Sequence, residues 1–164
     1  MKKYLLIILG CLLVISWGSM GYYLSHDDSP QKLLSNVASQ NGNQRLIPSS
    51  VITLNIDKRE DQVILGTTTQ KVLIVSERTK NTIGYQSSLS NFIKSSDLSP
   101  KKIKFIEIPR KGLSNRNFFY GRLKSSQPTP EFKGQKLSTV WVGRIRLWYT
   151  LLRDNDYHQI TFPK

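Results

Sequence analysis

The stretch VWVGRIRLWYTLL, residues 140–152, decides the fold. Trp141, Ile145, Leu147, Tyr149 and Leu151 share one parity, with Gly143 among them; Arg144, Arg146 and Thr150 take the other. A period of two puts alternate side chains on opposite faces of a strand. The run therefore reads as one strand with a buried face, and Arg144 and Arg146 are expected on the face opposite Trp141. Asp154-Asn155-Asp156 reads as a turn, and residues 157–162 alternate again. A terminal hairpin over residues 140–162 is expected.

The segments before it carry the same signature. Residues 51–56, 62–65, 71–75 and 82–86 are β-rich runs separated by a charged turn at 57–61, by Gly66 and by threonines. Residues 102–108 alternate charged and apolar side chains between Pro100 and Pro109, and residues 117–123 form a further strand. Serine-rich residues 87–99 read as a loop or a short helix. Residues 125–134, with Pro128, Pro130 and Gly134, read as a loop. The expected class is mainly β, of the α+β kind: a compact sheet, sandwich or barrel-like domain over residues 51–164.

A short helix precedes this body. Ser29-Pro30 supplies a cap and a first-turn proline. Leu33, Leu34, Val37 and Ala38 then recur at helical spacing over residues 31–40, and Asn41-Gly42-Asn43 ends the pattern. Residues 25–50 read as a juxtamembrane helix and linker.

The N-terminus has a different character. Lys2 and Lys3 precede residues 4–24, which carry no charge. About 21 residues of helix cover roughly 30 Å, one bilayer core. Tyr22 and Tyr23 close the run, and Asp27 and Asp28 follow it. Positive charge before the span and acid after it predict residues 1–3 inside the cell and the body outside. Cys11, the single cysteine, follows Leu9-Gly10 in mid-run, a poor lipidation context. Ser19-Met20-Gly21 offers a cleavage site for a secretory signal. An uncleaved signal anchor fits the length, flanks and aromatic end best. Cys11 is then one more buried apolar residue.

The chain has 24 Lys+Arg against 11 Asp+Glu, a net charge of +13. Such a balance favours anionic partners: lipid head groups, acidic glycan, nucleic acid or an acidic protein face. Lys102, Lys104, Arg122, Lys124, Arg144 and Arg146 are the candidate partner-binding residues. Phe118, Phe119 and Tyr120 interleave with them, but strand aromatics serve cores first, and the topology points away from nucleic acid. Trp141, Tyr149 and Phe118 are candidate walls of an apolar ligand pocket. No cysteine beyond Cys11 means no disulfide framework or thiolate metal site in the body. Neither a zinc-protease HExxH, a GxSxG elbow nor a phosphate loop is present. No catalytic residue, metal ligand or cofactor is therefore expected, and the chain reads as a non-enzyme. His158, on the last expected strand, is a candidate pH sensor, because histidine ordinarily titrates near pH 6.5.

Together, Lys2-Lys3, the apolar run 4–24, the helix over 29–40 and the closing hairpin 140–162 resemble the small bitopic regulators of Gram-negative virulence genes. These are the ToxS type, with its VtrC relative, and the PsaF/MyfF type, which is the nearer likeness. The resemblance implies an inner-membrane protein with a periplasmic domain. It implies a heteromeric complex in which that domain binds and protects the periplasmic part of a bitopic transcription activator. It further implies either a lipid- or bile-like ligand or a response to temperature or acid. It rests on architecture and carries no functional residue across. The other reading kept open is an envelope-binding module for an anionic or amphiphilic ligand, or an accessory protein of a pilus or secretion machine.

Overall fold

A computed structural model describes residues 29–56, 61–81, 84–86, 90–99, 101–108 and 116–163. The expected span at 4–24, with Cys11 and Gly21, lies outside the described residues. Among those described, no helix is long and apolar enough to cross a membrane.

Helix α1 runs Pro30–Gln40, and the Ser29 hydroxyl accepts a hydrogen bond from the Lys32 N–H at 3.3 Å. Among the described residues twelve strands follow: β1 (Ile52–Asn55), β2 (Gln62–Thr67), β3 (Val72–Asn81), β4 (Gly84–Gln86), β5 (Ser90–Lys94), β6 (Lys104–Ile108), β7 (Arg116–Leu123), β8 (Glu131–Phe132), β9 (Gln135–Lys136), β10 (Ser138–Val142), β11 (Ile145–Arg153) and β12 (Ile160–Thr161). The domain is mainly β, as the periodicity predicts, and every strand pairing among the described residues is antiparallel.

The strands form two principal sheets. In the first the order is β1-β2-β3-β4, with β5 also pairing β3. In the second it is β10-β11-β7-β6. Val63, Leu65, Leu73, Val75 and Ile93 of the first sheet meet Ile106, Phe118, Tyr120, Val142 and Leu147 of the second, making the central core. Period two sends the alternate residues outward, and both outer faces are covered. Ile64 and Ile74 pack under Leu34 and Ala38 of α1. Phe119, Trp148 and Leu152 pack against Ile160, Phe132 and Phe162, carried by the small third sheet β12-β8-β9. The layers are helix, sheet, sheet and C-terminal flap. Double coverage explains why β2 and β7 are buried on nearly every residue rather than on alternate ones.

Four expectations are corrected. Residues 140–152 are not one strand. They form two, β10 and β11, turning at Gly143-Arg144, with Val142 paired to Ile145. Gly143 has φ +57°, which a two-residue hairpin turn of the II′ kind needs at its first position. The turn reverses the chain, so Trp141 pairs with Arg146 and shares its face, instead of opposing it. Second, the hairpin does not close at 154–156: Tyr157–Gln159 is a 3-10 turn, and β12 pairs with β8. His158 therefore stands on that turn and not on a strand. Third, residues 87–99 contain strand β5, which period two does not reveal because its burial is uneven. Fourth, residues 125–134 include β8. The β8–β9 turn uses Lys133 and Gly134, both at positive φ.

Candidate functional site

The two sheets separate along one side. Near the β10–β11 turn the side is closed: a Cβ added to Gly143 would lie 3.1 Å from Thr67 Oγ1. Further along, β10 begins only at Ser138, opposite Tyr149, whereas β11 continues to Arg153. The chain before β10 turns away, and the Leu137 N–H donates to the Pro130 carbonyl at 2.9 Å. Among the described residues the β10-side edge of residues 150–153 has no strand partner. Facing it is β1, whose one strand partner among the described residues is β2.

Between these edges lies an opening of about 270 Å³. Leu54, Asn55 and Ile56 form one wall; Phe118, Tyr149 and Leu151 form the other; Lys136 and Leu137 lie on its rim. The rings of Phe118 and Tyr149 stack with centroids 5.5 Å apart. Sequence reasoning grouped these two with Trp141. The structure brings Phe118 and Tyr149 together and puts Trp141 elsewhere, half exposed on the outer face.

Backbone polarity sharpens the site. The Ile56 N–H donates to the Asp61 carbonyl at 2.9 Å, so Ile56 and Asp61 form a hydrogen-bonded pair. Antiparallel pairs alternate. Leu54 therefore bonds toward Val63, and the main-chain groups of Asn55 point away from β2, toward the opening. On β11, Ile145, Leu147 and Tyr149 bond toward β10, so Leu151 presents its N–H and C=O the same way with no strand to receive them. Two open strand edges flank a short aromatic floor. Such an arrangement accepts an extended segment by main-chain hydrogen bonding, with side-chain pockets adding selectivity.

A second cleft, about 330 Å³, lies on the flap side among Ile103, Phe105, Phe119, Asp154, Tyr157 and His158. Phe119 and Tyr157 stack at 5.2 Å, and the Tyr157 and His158 rings lie 3.9 Å apart, tilted by 35°. Asn117 donates to Asp154 Oδ1 at 2.9 Å, which holds the carboxylate at the end of β11.

The six candidate basic residues divide. Arg122 donates to the Ser95 carbonyl at 2.8 Å. Arg146 donates to the carbonyls of Ser125 and Gln127 at 3.1 and 3.2 Å. These two guanidinium groups tie loops to the sheet. Arg144, Lys102 and Lys124 are exposed, and Lys104 is half-buried. Among the described residues no three His, Cys, Asp or Glu side chains gather as a metal would require. Tyr120 is buried, and burial pushes its phenol up to about 12 despite the Asn91 amide, which donates to its oxygen at 3.3 Å.

The side opening is built from β1, β7, β9 and β11, segments far apart in the chain. Its only sequence signal was the aromatic pair. Compared with known protein families, curated proteins and solved structures, the chain matches none.

Proposed function

We propose that this chain is a non-enzymatic, single-pass inner-membrane protein. Its periplasmic β domain binds and stabilises a membrane-bound transcription activator. The apolar run 4–24 holds it in the bilayer. The observation that carries the binding role is the side opening, where the edges of β1 and β11 stand unpaired around Phe118 and Tyr149. An extended segment of the activator's outer domain enters there, pairs with Asn55 and Leu151, and covers the aromatic floor. Covering an open edge protects both proteins from self-association and from proteolysis. The stabilisation follows mass action, since a partner that binds only the folded form raises its apparent stability.

Co-expression with a candidate one-span transcription activator tests this. The activator's half-life and reporter output should rise with the wild-type chain. Asn55→Pro should abolish the rise, because proline removes an outward N–H while the main-chain bonds of β1 to β2 persist and only the exposed Gln62–Asn55 side-chain bond is lost. An activator equally stable and active without this chain sinks the proposal.

A second reading is favoured by the Phe118–Tyr149 stack: an amphiphile of lipid or bile-acid kind held in the same opening. Its volume is small for such a ligand, so only part of the molecule would be enclosed. Mass spectrometry of the purified chain for bound lipid decides it, with Tyr149→Ala expected to empty the site.

A further inference from the structure

Exposed basic side chains gather at one end of the strands, with little acid beside them. At the end bearing the β10–β11 turn, four separate segments meet. The Thr69 N–H donates to the Arg45 carbonyl, the Ser95 N–H to the Lys71 carbonyl, and Gly143 sits over Ser50 and Thr67. This stitching gathers the exposed side chains of Arg45, Lys71, Lys94, Lys124 and Arg144 at one end. The acid there is Asp97, bonded by its neighbour Ser96. Asp61, Asp154 and Asp156 lie at the opposite end, beyond the last pairs of β1–β2 and β11–β7, and Glu107 pairs with Asn117 near it; that end also carries the exposed Arg116 and Arg153.

Exposed apolar groups are sorted too. Three large apolar side chains are exposed among the described residues: Ile47 at 36%, Phe105 at 48% and Trp141 at 51%. Two of them belong to the basic end. The Ile47 N–H donates to the Thr67 carbonyl, and Trp141 stands two residues before the Gly143 turn. They are isolated projections on separate elements, and neither described cavity includes them.

We propose that this end docks on an anionic phospholipid surface. Trp141 and Ile47 enter the head-group layer while the lysines and arginines meet lipid phosphates. Charge complementarity selects an anionic occupant. The dispersion selects lipid among anionic occupants. A protein or nucleic-acid partner needs fixed, matched positions, usually around a pocket or groove. Mobile head groups adapt to charges spread over several loops. Tryptophan, apolar with one polar edge, is the side chain that favours the head-group layer. Each exposed basic residue near such a surface contributes a fewfold gain in partition, about fivefold apiece. These are features of the domain, so the proposal holds whether or not residues 4–24 anchor the chain.

The test uses the full chain in vesicles of phosphatidylcholine with and without phosphatidylglycerol, both carrying brominated acyl chains. The fluorescence difference between wild type and Trp141→Phe isolates Trp141, because Trp17 and Trp148 cancel. With anionic lipid at low salt, the Trp141 component should shift to the blue and be quenched. It should revert in neutral vesicles, at high salt, and in the Arg45→Glu/Lys71→Glu/Arg144→Glu variant. The salt arm needs no charge-reversing substitution, so it does not depend on whether the triple variant folds. A Trp141 signal equal in neutral and anionic vesicles overturns the proposal. So does one that moves only on adding an oligonucleotide or a purified acidic partner protein.

Discussion

The indole of Trp148 lies flat over Gly121, its cross-strand partner on β7. A Cβ at Gly121 would come within 2.6 Å of Trp148 Nε1. Trp148 is fully buried, and its N–H has no hydrogen-bond acceptor among the described residues. The ring is held instead by packing, with Phe162 set edge-on at 6.0 Å. Glycine is required here for close approach, since its φ is not in the left-handed region.

Gly121→Ala should therefore overpack the flap core and destabilise the domain by about 1–3 kcal/mol. Urea unfolding should show a lower midpoint at unchanged slope. Adding Trp148→Leu should make the second change less harmful than it is alone. That coupling would be measured by a double-mutant cycle. Additive losses would mean that the ring does not press on position 121.

The mainly β class was legible because alternation is a local signal, and residues 104–108 follow it, while residues 116–123 were legible from their aromatic content. The helix was legible from Ser29-Pro30 and the spacing of Leu34 and Ala38. Gly143 hid the central hairpin. Apolar residues continue in step on both sides of it, so parity alone does not show that the chain reverses. The same turn moved Trp141 away from Tyr149. The side opening was legible only as an aromatic pair, because its other wall comes from β1, nearly a hundred residues earlier in the sequence. Basic residues were legible as a group but not by role: only structure separates Arg146, bound to carbonyls, from Arg144, which is exposed.

Ser50 is buried at the closed end of the sandwich. Its hydroxyl donates to the Ile47 carbonyl at 2.7 Å and accepts from the Thr67 N–H at 2.8 Å. Ser50→Ala would leave the Thr67 N–H buried and unpaired, a cost of about 1–3 kcal/mol. Amide exchange at Thr67 should accelerate together with the fall in stability. Unchanged exchange would show that another acceptor replaces the hydroxyl.

Tyr120 links stability to alkaline pH. Its phenol is neutral in folded and unfolded chains below pH 10. Between pH 10 and about 12 the unfolded phenol ionises while the folded one does not. The unfolded state then binds fewer protons, so stability falls as pH rises. The expected loss is about 1.4 kcal/mol at pH 11. Tyr120→Phe removes this component. Unfolding free energies of the two proteins, measured from pH 8 to 11, should converge by that amount. Parallel curves would mean that the phenol ionises as readily folded as unfolded.

Arg144, in the turn, and Arg146, on β11, are separated only by Ile145, yet they should respond differently to removal. The Arg146 guanidinium holds the Ser125 and Gln127 carbonyls, with the Thr129 hydroxyl at 3.5 Å. Loss of a charged donor at a half-buried site costs about 1.5 kcal/mol, the low end for such bonds. Arg146→Ala should also release residues 125–129 to proteases, with a new cleavage site there by mass spectrometry. Arg146→Lys should not restore protection, because one ammonium cannot reproduce the planar fork that reaches several oxygens. Arg144→Ala, on an exposed turn, should change stability by less than about 0.5 kcal/mol. If the two alanine variants unfold and cleave alike, Arg146 does not tie the loop to the sheet.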